Sequence, residues 1–269
     1  MSQRQTITVA SPSGGWGEPW PNVAEIAEVL EPTSWSLVGG LMVQLHAIHT
    51  GIDAIRPTTD IDMLVHVETG RGRPAAIARA LASLGYELAP PIDPRNPAAH
   101  RFHRTAVPAG PPRGTEQVDV VDLVVADHAA PAAREKLLGY QMVGIAGGTQ
   151  ALRRTVNANL TIDPHRPVVV SVPGVFGALI LKAAAHLADS RNPERHLQDA
   201  AVLLSCLDDP WAELEKPRSG SDGTRLRHLT QHLADPSHPA WLPLTDDQRR
   251  DGRAALRVLT GGEPITHES

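Results

Sequence analysis

A glycine pair between two apolar segments constrains the fold of this chain more than any other sequence feature. Trp35–Val38 is a short apolar run, Gly39-Gly40 marks a turn, and residues 41–49 have the length and composition of a buried helix. Residues 60–67 alternate polar and apolar side chains before becoming apolar, as a half-buried strand does. We therefore expect a strand–turn–helix unit followed by a neighbouring strand.

The rest of the chain predicts a mixed first part and a helical second part. Residues 1–20 are rich in Ser, Gly and Pro and predict a loose arm. Helices are predicted at 23–30 and 74–84, and strands at 86–88, 100–107 and 117–125. From about residue 174 the pattern becomes helical, at 174–188, 194–204, 225–233 and 246–259. The predicted class is α+β, with a small mixed sheet and helices over residues 1–160, arm included, and a mainly helical C-terminal lobe over residues 161–269.

Charge and composition limit the surroundings and partners of the protein. The formal net charge of -5 excludes a uniformly basic protein but leaves room for a local nucleic-acid-binding patch. The single cysteine, Cys206, allows neither an internal disulfide nor a cysteine-rich zinc site. The N-terminus lacks the apolar core of a signal peptide, and no stretch approaches the roughly 20 apolar residues of a membrane helix. We expect a cytoplasmic protein with no membrane partner.

Asp60 and Asp62 are candidate metal ligands. They are two apart on a predicted strand, so their side chains point the same way, roughly 7 Å apart at the backbone. Mg²⁺ prefers carboxylate and phosphate oxygens, and two such ions about 4 Å apart can clamp both oxygens of an in-line displacement. A third carboxylate comes from the valine-rich strand, where Asp119 and Asp122 are three apart and cannot both face the metal.

Two further features suit a bound phosphate, and Asp199 is a third candidate for the same cleft. Gly39-Gly40 at a helix N-terminus lets the backbone approach a ligand and offers free N–H groups. Lys182 lies in the most apolar helix of the second half, so it either reaches solvent or meets an anion such as a triphosphate. Asp199 either faces the same cleft or covers the surface of its helix.

Other polar residues carry less weight. His46 and His49 are three apart but have no further ligands at zinc spacing, so we assign them no metal. The run R-F-H-R at 101–104 could touch a polynucleotide, but a charged strand edge is the preferred interpretation.

Several motifs resemble the nucleotidyltransferase fold of the DNA polymerase β superfamily, and more narrowly the AbiEii family, which includes toxins of type IV toxin–antitoxin pairs. The most specific motifs are L-V-G-G at 37–40 and R-P-T-T-D-I-D-M-L-V at 56–65. V-D-L-V-V-A-D, G-G-T-Q-A-L, L-K-A-A-A-H-L and E-R-H-L-Q-D-A-A-V-L-L extend the resemblance to about residue 204. The resemblance implies metal-dependent transfer of a nucleoside monophosphate from an NTP to a hydroxyl group, with release of pyrophosphate.

Position by position, the resemblance implies roles for eight residues. The metal ligands and catalytic carboxylates are Asp60, Asp62 and Asp122, which would hold two Mg²⁺ ions, with Mn²⁺ as a substitute. Alignment with V-V-A-D favours Asp122 over Asp119. The nucleotide-binding residues are Gly39, Gly40, Thr58, Lys182 and Asp199, and Lys182 is also catalytic. Gly40 stands where many family members have serine, so a side-chain hydroxyl is absent at that position.

The acceptor is the part of the function on which interpretations differ. The leading hypothesis is an RNA-modifying toxin that acts on the 3′ end of tRNA and has a cognate antitoxin as partner. A second is a small-molecule nucleotidyltransferase of the aminoglycoside or lincosamide kind, which has a similar arrangement of motifs. A third is a catalytically silent protein that binds a nucleotide or a partner protein.

Overall fold

The computed structural model describes residues 4–54, 56–69, 72–91, 98–105, 118–128, 137–216, 218 and 220–261. The described strands are β1 (Thr6–Val9), β2 (Trp35–Val38), β3 (Asp60–Val65), β4 (Glu87–Leu88), β5 (Arg101–Thr105), β6 (Val118–Ala126), β7 (Val143–Ile145), β8 (Thr155–Asp163) and β9 (Arg166–Pro173). The described α-helices are α1 (Trp20–Val29), α2 (Gly39–Thr50), α3 (Arg73–Ser83), α4 (Gly148–Arg153), α5 (Val175–Ala188), α6 (Glu194–Ser205), α7 (Pro210–Glu215), α8 (Gly220–Leu233) and α9 (Asp246–Leu259). The predicted α+β class is confirmed.

The larger sheet has the order β2-β3-β6-β5-β4. The short strand β7 pairs with the last residues of β6, past the part of β6 that pairs with β5. Its strands are mixed in direction, because β3 is antiparallel to β2 and parallel to β6. The apolar second halves of β3 and β6 are buried, as expected of central strands covered on both faces. Their first halves carry the aspartates, so the charged residues gather at one end of the sheet.

A second sheet has the order β1-β8-β9. The prediction of a loose arm over residues 1–20 was wrong for Thr6–Val9, which pairs in parallel with β8. Trp16 follows this strand, and its indole N–H donates to the Thr161 carbonyl while its ring packs 4.7 Å from that of Trp20. The start of the chain is therefore held by main-chain pairing and by an aromatic contact.

Residue 160, the predicted boundary between the lobes, lies inside β8. This strand pairs with β1 from the first predicted lobe and with β9 from the second. The two sheets also meet through Ser36 and Ser171, whose hydroxyl oxygens are 2.8 Å apart. One hydrophobic core runs from Val9 to Leu259, and the division into two lobes stays a prediction.

The second half of the chain beyond β9 is helical, as the sequence predicts. The predicted helix at residues 246–259 has the observed bounds of α9, because Thr245 and Gln248 form a capping box that fixes its start. By contrast, α1 begins at Trp20, three residues before the predicted start. Within the described ranges, no helix combines the length and apolar character needed to cross a membrane.

Candidate metal and nucleotide site

Three aspartates meet at one end of the larger sheet. Asp62 and Asp122 lie directly opposite each other on the parallel strands β3 and β6, and Asp60 is two residues before Asp62 on the same face. Each of the three offers a carboxylate oxygen, and these oxygens all lie within 4.8 Å of one another. This arrangement of hard oxygen ligands could hold a metal ion.

Asp119 lies outside this cluster. Its side chain points to the opposite face of β6, where its carboxylate accepts a hydrogen bond of 3.0 Å from Arg104 Nε. Arg104 also pairs with Glu25 on α1 at 2.7 Å. Of the two aspartates that the sequence left as alternatives, Asp122 is therefore the one near Asp60 and Asp62.

Asp62 is surrounded by too little positive charge to ionise easily. Burial, followed by the charges of Asp60 and Asp122, raises the pKa of Asp62 to about 7, although Lys182 and Arg195 act in the opposite direction. A divalent cation would neutralise these carboxylates. The donor set and its charge both fit a bound divalent metal.

Arg101 supplies part of the missing positive charge. It lies opposite Asp122 on β5, and its Nε and Nη2 atoms donate to the two Asp122 carboxylate oxygens at 2.9 and 2.7 Å. The guanidinium is half exposed, whereas the Asp122 carboxylate is almost buried. The arginines of the R-F-H-R run thus pair with the aspartates of β6. The strand is charged, as expected, but it lies between β6 and β4 and is not the sheet edge that the sequence interpretation favoured.

The glycine pair is in close contact with two of the candidate residues. Gly39 has φ of +71°, and a Cβ atom there would lie 1.7 Å from Asp62 Oδ2. A Cβ atom on Gly40 would lie 2.9 Å from the Cβ and Oγ1 atoms of Thr58. The Thr58 hydroxyl donates to Asp60 Oδ1 at 2.6 Å. Only glycine lets α2 begin this close to the acidic cluster.

Lys182 meets an anion, as one of the two sequence interpretations expected, and that anion is Asp199. Lys182 Nζ lies 2.7 Å from Asp199 Oδ2, and both side chains are buried, with exposed fractions of 6% and 4%. Arg56 donates to both Asp199 oxygens at 3.3 Å. Although burial acts to raise it, the two cations hold the pKa of Asp199 below its usual value. The Lys182 ammonium is thus held in place by the Asp199 carboxylate.

A cleft of about 440 Å³ lies between α2 and α6. Its walls include Gly40 and Gln44 from α2, Arg56 from the segment before β3, and Asp199 from α6. Gly39 touches Asp62 while Gly40 lines the cleft, so the glycine pair joins the acidic cluster to the cavity. The cavity has the size of a small-molecule binding site.

Sequence reasoning missed three cations of this region: Arg56, Arg101 and Arg195. Arg56 stands inside the motif that carries the two aspartates, and this position was the available signal. Arg101 was considered only as a surface residue, because nothing in a single sequence places it opposite Asp122. Arg195 acts on Asp62 through space from α6.

Comparisons of the chain with protein-family models, with curated proteins and with solved structures gave no match.

Proposed function

We propose that this protein is a metal-dependent nucleotidyltransferase that transfers a nucleoside monophosphate from an NTP to a hydroxyl acceptor. The observation that carries the proposal is the position of Asp60, Asp62 and Asp122 at the N-terminus of α2. The glycine pair at that N-terminus also borders the cleft. The reaction joins the acceptor oxygen to the α-phosphorus and breaks the bond between that phosphorus and the oxygen that leaves with pyrophosphate. The acceptor proton goes to a carboxylate or to water.

The three aspartates would hold Mg²⁺, or Mn²⁺ in its place. When bound, two such ions polarise the phosphate oxygens and neutralise the charge that develops on the attacking and leaving oxygens. Asp122 lies nearest to Arg101, so this arginine must share or release the carboxylate when a cation binds. Its half-exposed guanidinium is free to turn toward a phosphate instead.

The remaining residues suit binding of a triphosphate. No side chain of the described residues caps the N-terminus of α2, so its first N–H groups are free for phosphate oxygens. The buried Lys182 ammonium acts on Asp62 from α5 and would add positive charge beside the leaving pyrophosphate. Asp199 positions Lys182 and Arg56 rather than contacting phosphate itself, since two anions would repel each other.

Thr58 offers the hydroxyl that is absent from Gly40. Its Oγ1 atom lies 2.9 Å from where a Gly40 Cβ would be, so it occupies the space of a serine side chain at that position. Because a hydroxyl has a single proton, in the proposed complex Thr58 donates to a phosphate oxygen instead of to Asp60, whose carboxylate then binds the metal. The loss of serine in the glycine turn is thus offset by a residue from the segment before β3.

The pH dependence of magnesium binding follows from the raised pKa of Asp62, which is about 7. The metal-free folded protein keeps this proton up to about pH 7, whereas an unfolded chain releases it near pH 4. Ionisation of Asp62 therefore lowers the stability of the metal-free protein as pH rises between these values, and the loss is complete above them. We expect Mg²⁺ to raise the melting temperature clearly at about pH 8 and little at about pH 5.5, as measured by scanning calorimetry. An equal rise at both pH values would contradict this.

The acceptor is proposed to be RNA, at the 3′ end of tRNA, on the strength of the motif resemblance. Incubation with each α-labelled NTP and Mg²⁺, together with total tRNA, should attach label to RNA from one preferred nucleotide. A parallel panel of aminoglycosides and lincosamides tests the small-molecule alternative. Label on a drug but never on RNA would replace the RNA proposal, and label on neither acceptor with any NTP would remove the proposed activity.

From the motif resemblance, we also propose that the protein is a growth-inhibiting toxin with a cognate antitoxin as its partner. Expression of the wild type should then inhibit growth, and expression of Asp60→Ala should not, at equal soluble protein levels. Equal growth of the two strains would remove the toxin proposal while leaving the biochemical activity open to the assay above.

A further inference from the structure

A second group of metal-ligating side chains lies in the helical part of the protein, on elements that carry none of Asp60, Asp62 and Asp122. It consists of His186 on α5 and of His228 and His232 on α8. One ring nitrogen from each histidine can be chosen so that all three lie within 4.8 Å of one another. The proposed nucleotidyl transfer assigns no role to these residues.

The histidines are arranged as ligands of one ion. His228 and His232 are four residues apart on α8, so their rings project from the same face of the helix. His186 faces them from α5, with Nδ1 2.7 Å from His228 Nε2. The three ring centroids form a nearly equilateral triangle with sides of 4.9, 4.9 and 5.0 Å. Two histidines on one helix and a third on its neighbour are a frequent way to build a metal site.

We propose that His186, His228 and His232 bind one Zn²⁺ ion, which ties the C-terminal end of α5 to that of α8. Zinc is favoured because it accepts three neutral imidazoles in tetrahedral coordination, at about 2.0–2.1 Å from each nitrogen. Such a geometry needs nitrogens about 3.3 Å apart. The His186–His228 distance must therefore open by only a fraction of an ångström when the ion replaces their shared proton.

The surroundings of the cluster also suit a cation. His186 and His232 lie in the last turns of their helices, where the negative ends of the helix dipoles favour positive charge. All three residues keep partial exposure, so an ion can reach them.

A small polar pair, His238 and Glu194, lies near the cluster. The ring of His238 lies 6.4 Å from that of His232, and His238 Nε2 is 4.0 Å from Glu194 Oε2. His238 already accepts a hydrogen bond from the Ala240 backbone through Nδ1, so it is held in place beside the cluster. The proposed site thus has three protein ligands and a polar neighbour that is held in place.

The test is a zinc titration of chelator-treated full-length protein that carries no polyhistidine tag. Excess Mg²⁺ is present throughout, because it occupies carboxylate oxygens and leaves imidazoles free. The wild type should bind one equivalent of Zn²⁺ and gain thermal stability. The variants H228Q and H232Q should each bind at least about 100-fold more weakly, more than the loss typical of an outer-shell change. The exposed histidine variant H165Q should bind like the wild type.

A spectroscopic measurement keeps the test independent of how well the variants fold. X-ray absorption of the zinc-loaded wild type should show three imidazole nitrogens at about 2.0 Å. A shell of oxygen ligands alone would overturn the proposal. So would the absence of stoichiometric binding by the wild type, or binding that persists in the variant carrying both H228Q and H232Q.

Discussion

Replacing Asp62 with asparagine should abolish nucleotidyl transfer while making the metal-free protein more stable. Asparagine keeps the shape of the side chain but loses the charge that binds the metal, so we expect transfer to fall by at least about 10³-fold, or about 4 kcal/mol. In the metal-free wild type, ionised Asp62 is costly because burial, Asp60 and Asp122 all oppose its charge. The variant should therefore gain on the order of 2 kcal/mol at about pH 8, less than the full pKa shift implies, because the side chain keeps partial exposure.

The measurements are label transfer from the preferred NTP and urea unfolding of the metal-free proteins. Asp119→Asn is the matched control, since Asp119 lies on β6 like Asp122 but points to the opposite face and pairs with Arg104. This control should keep transfer within about threefold while losing some stability through its broken ion pair. Equal activity of Asp62→Asn and wild type would remove the proposed site. A loss of activity accompanied by a loss of stability would instead indicate a folding defect.

A loss of transfer together with a gain in stability in Asp62→Asn would show that Asp62 lowers the stability of the metal-free fold and serves the metal site. Structural carboxylates behave differently, as Asp199 does, because Lys182 and Arg56 surround it and hold its pKa low. The acidic cluster has Arg101 as its direct partner on Asp122, and the Asp62 pKa stays high. Buried carboxylates without a full set of neutralising partners are common at ligand-binding sites.

The common face of Asp60 and Asp62 could be predicted from the sequence because their geometry is local, whereas Asp122 joins them through the pairing of β6 with β3. The two-residue spacing of Asp60 and Asp62 places both side chains on one face once a strand is assumed. The glycine pair predicts the turn that lies beside them. The bounds of α9 were likewise readable, since a capping box and an amphipathic pattern act within a few residues. Features set by neighbouring residues in the chain are the ones that a sequence specifies most directly.

Features that depend on strand partners were harder to predict. The alternation T-I-T-V in β1 was a visible strand signal, but the Ser, Gly and Pro around it predicted an arm, and its partner β8 is about 150 residues away. The contact of Arg101 with Asp122 follows from the register of β5 on β6, which a single sequence does not reveal. The three histidines meet only because α5 packs on α8.

The predicted strand residues 106, 107 and 117 lie outside the described part of the chain.

The substitution Gly39→Ala tests the glycine turn, and we expect it to lower both the stability and the activity of the protein. The left-handed conformation of Gly39 costs alanine about 1–2 kcal/mol, and the clash with Asp62 Oδ2 at 1.7 Å adds about 1–3 kcal/mol of forced movement. We therefore expect a loss of about 2–5 kcal/mol in urea unfolding. Transfer should also fall steeply, because the carboxylate that must move is a proposed metal ligand.

Gly51→Ala separates the backbone cost from the clash. Gly51 ends the same helix with φ of +73°, almost the value at Gly39, but a Cβ there would meet nothing within 4 Å. It should lose only about 1–2 kcal/mol and retain transfer. The excess loss at Gly39 should shrink when Gly39→Ala is combined with Asp62→Ala, which removes the two carboxylate atoms closest to the new methyl group. If the effects of the two substitutions on the free energy of unfolding simply add, the contact between α2 and the acidic cluster is not what requires glycine at this position.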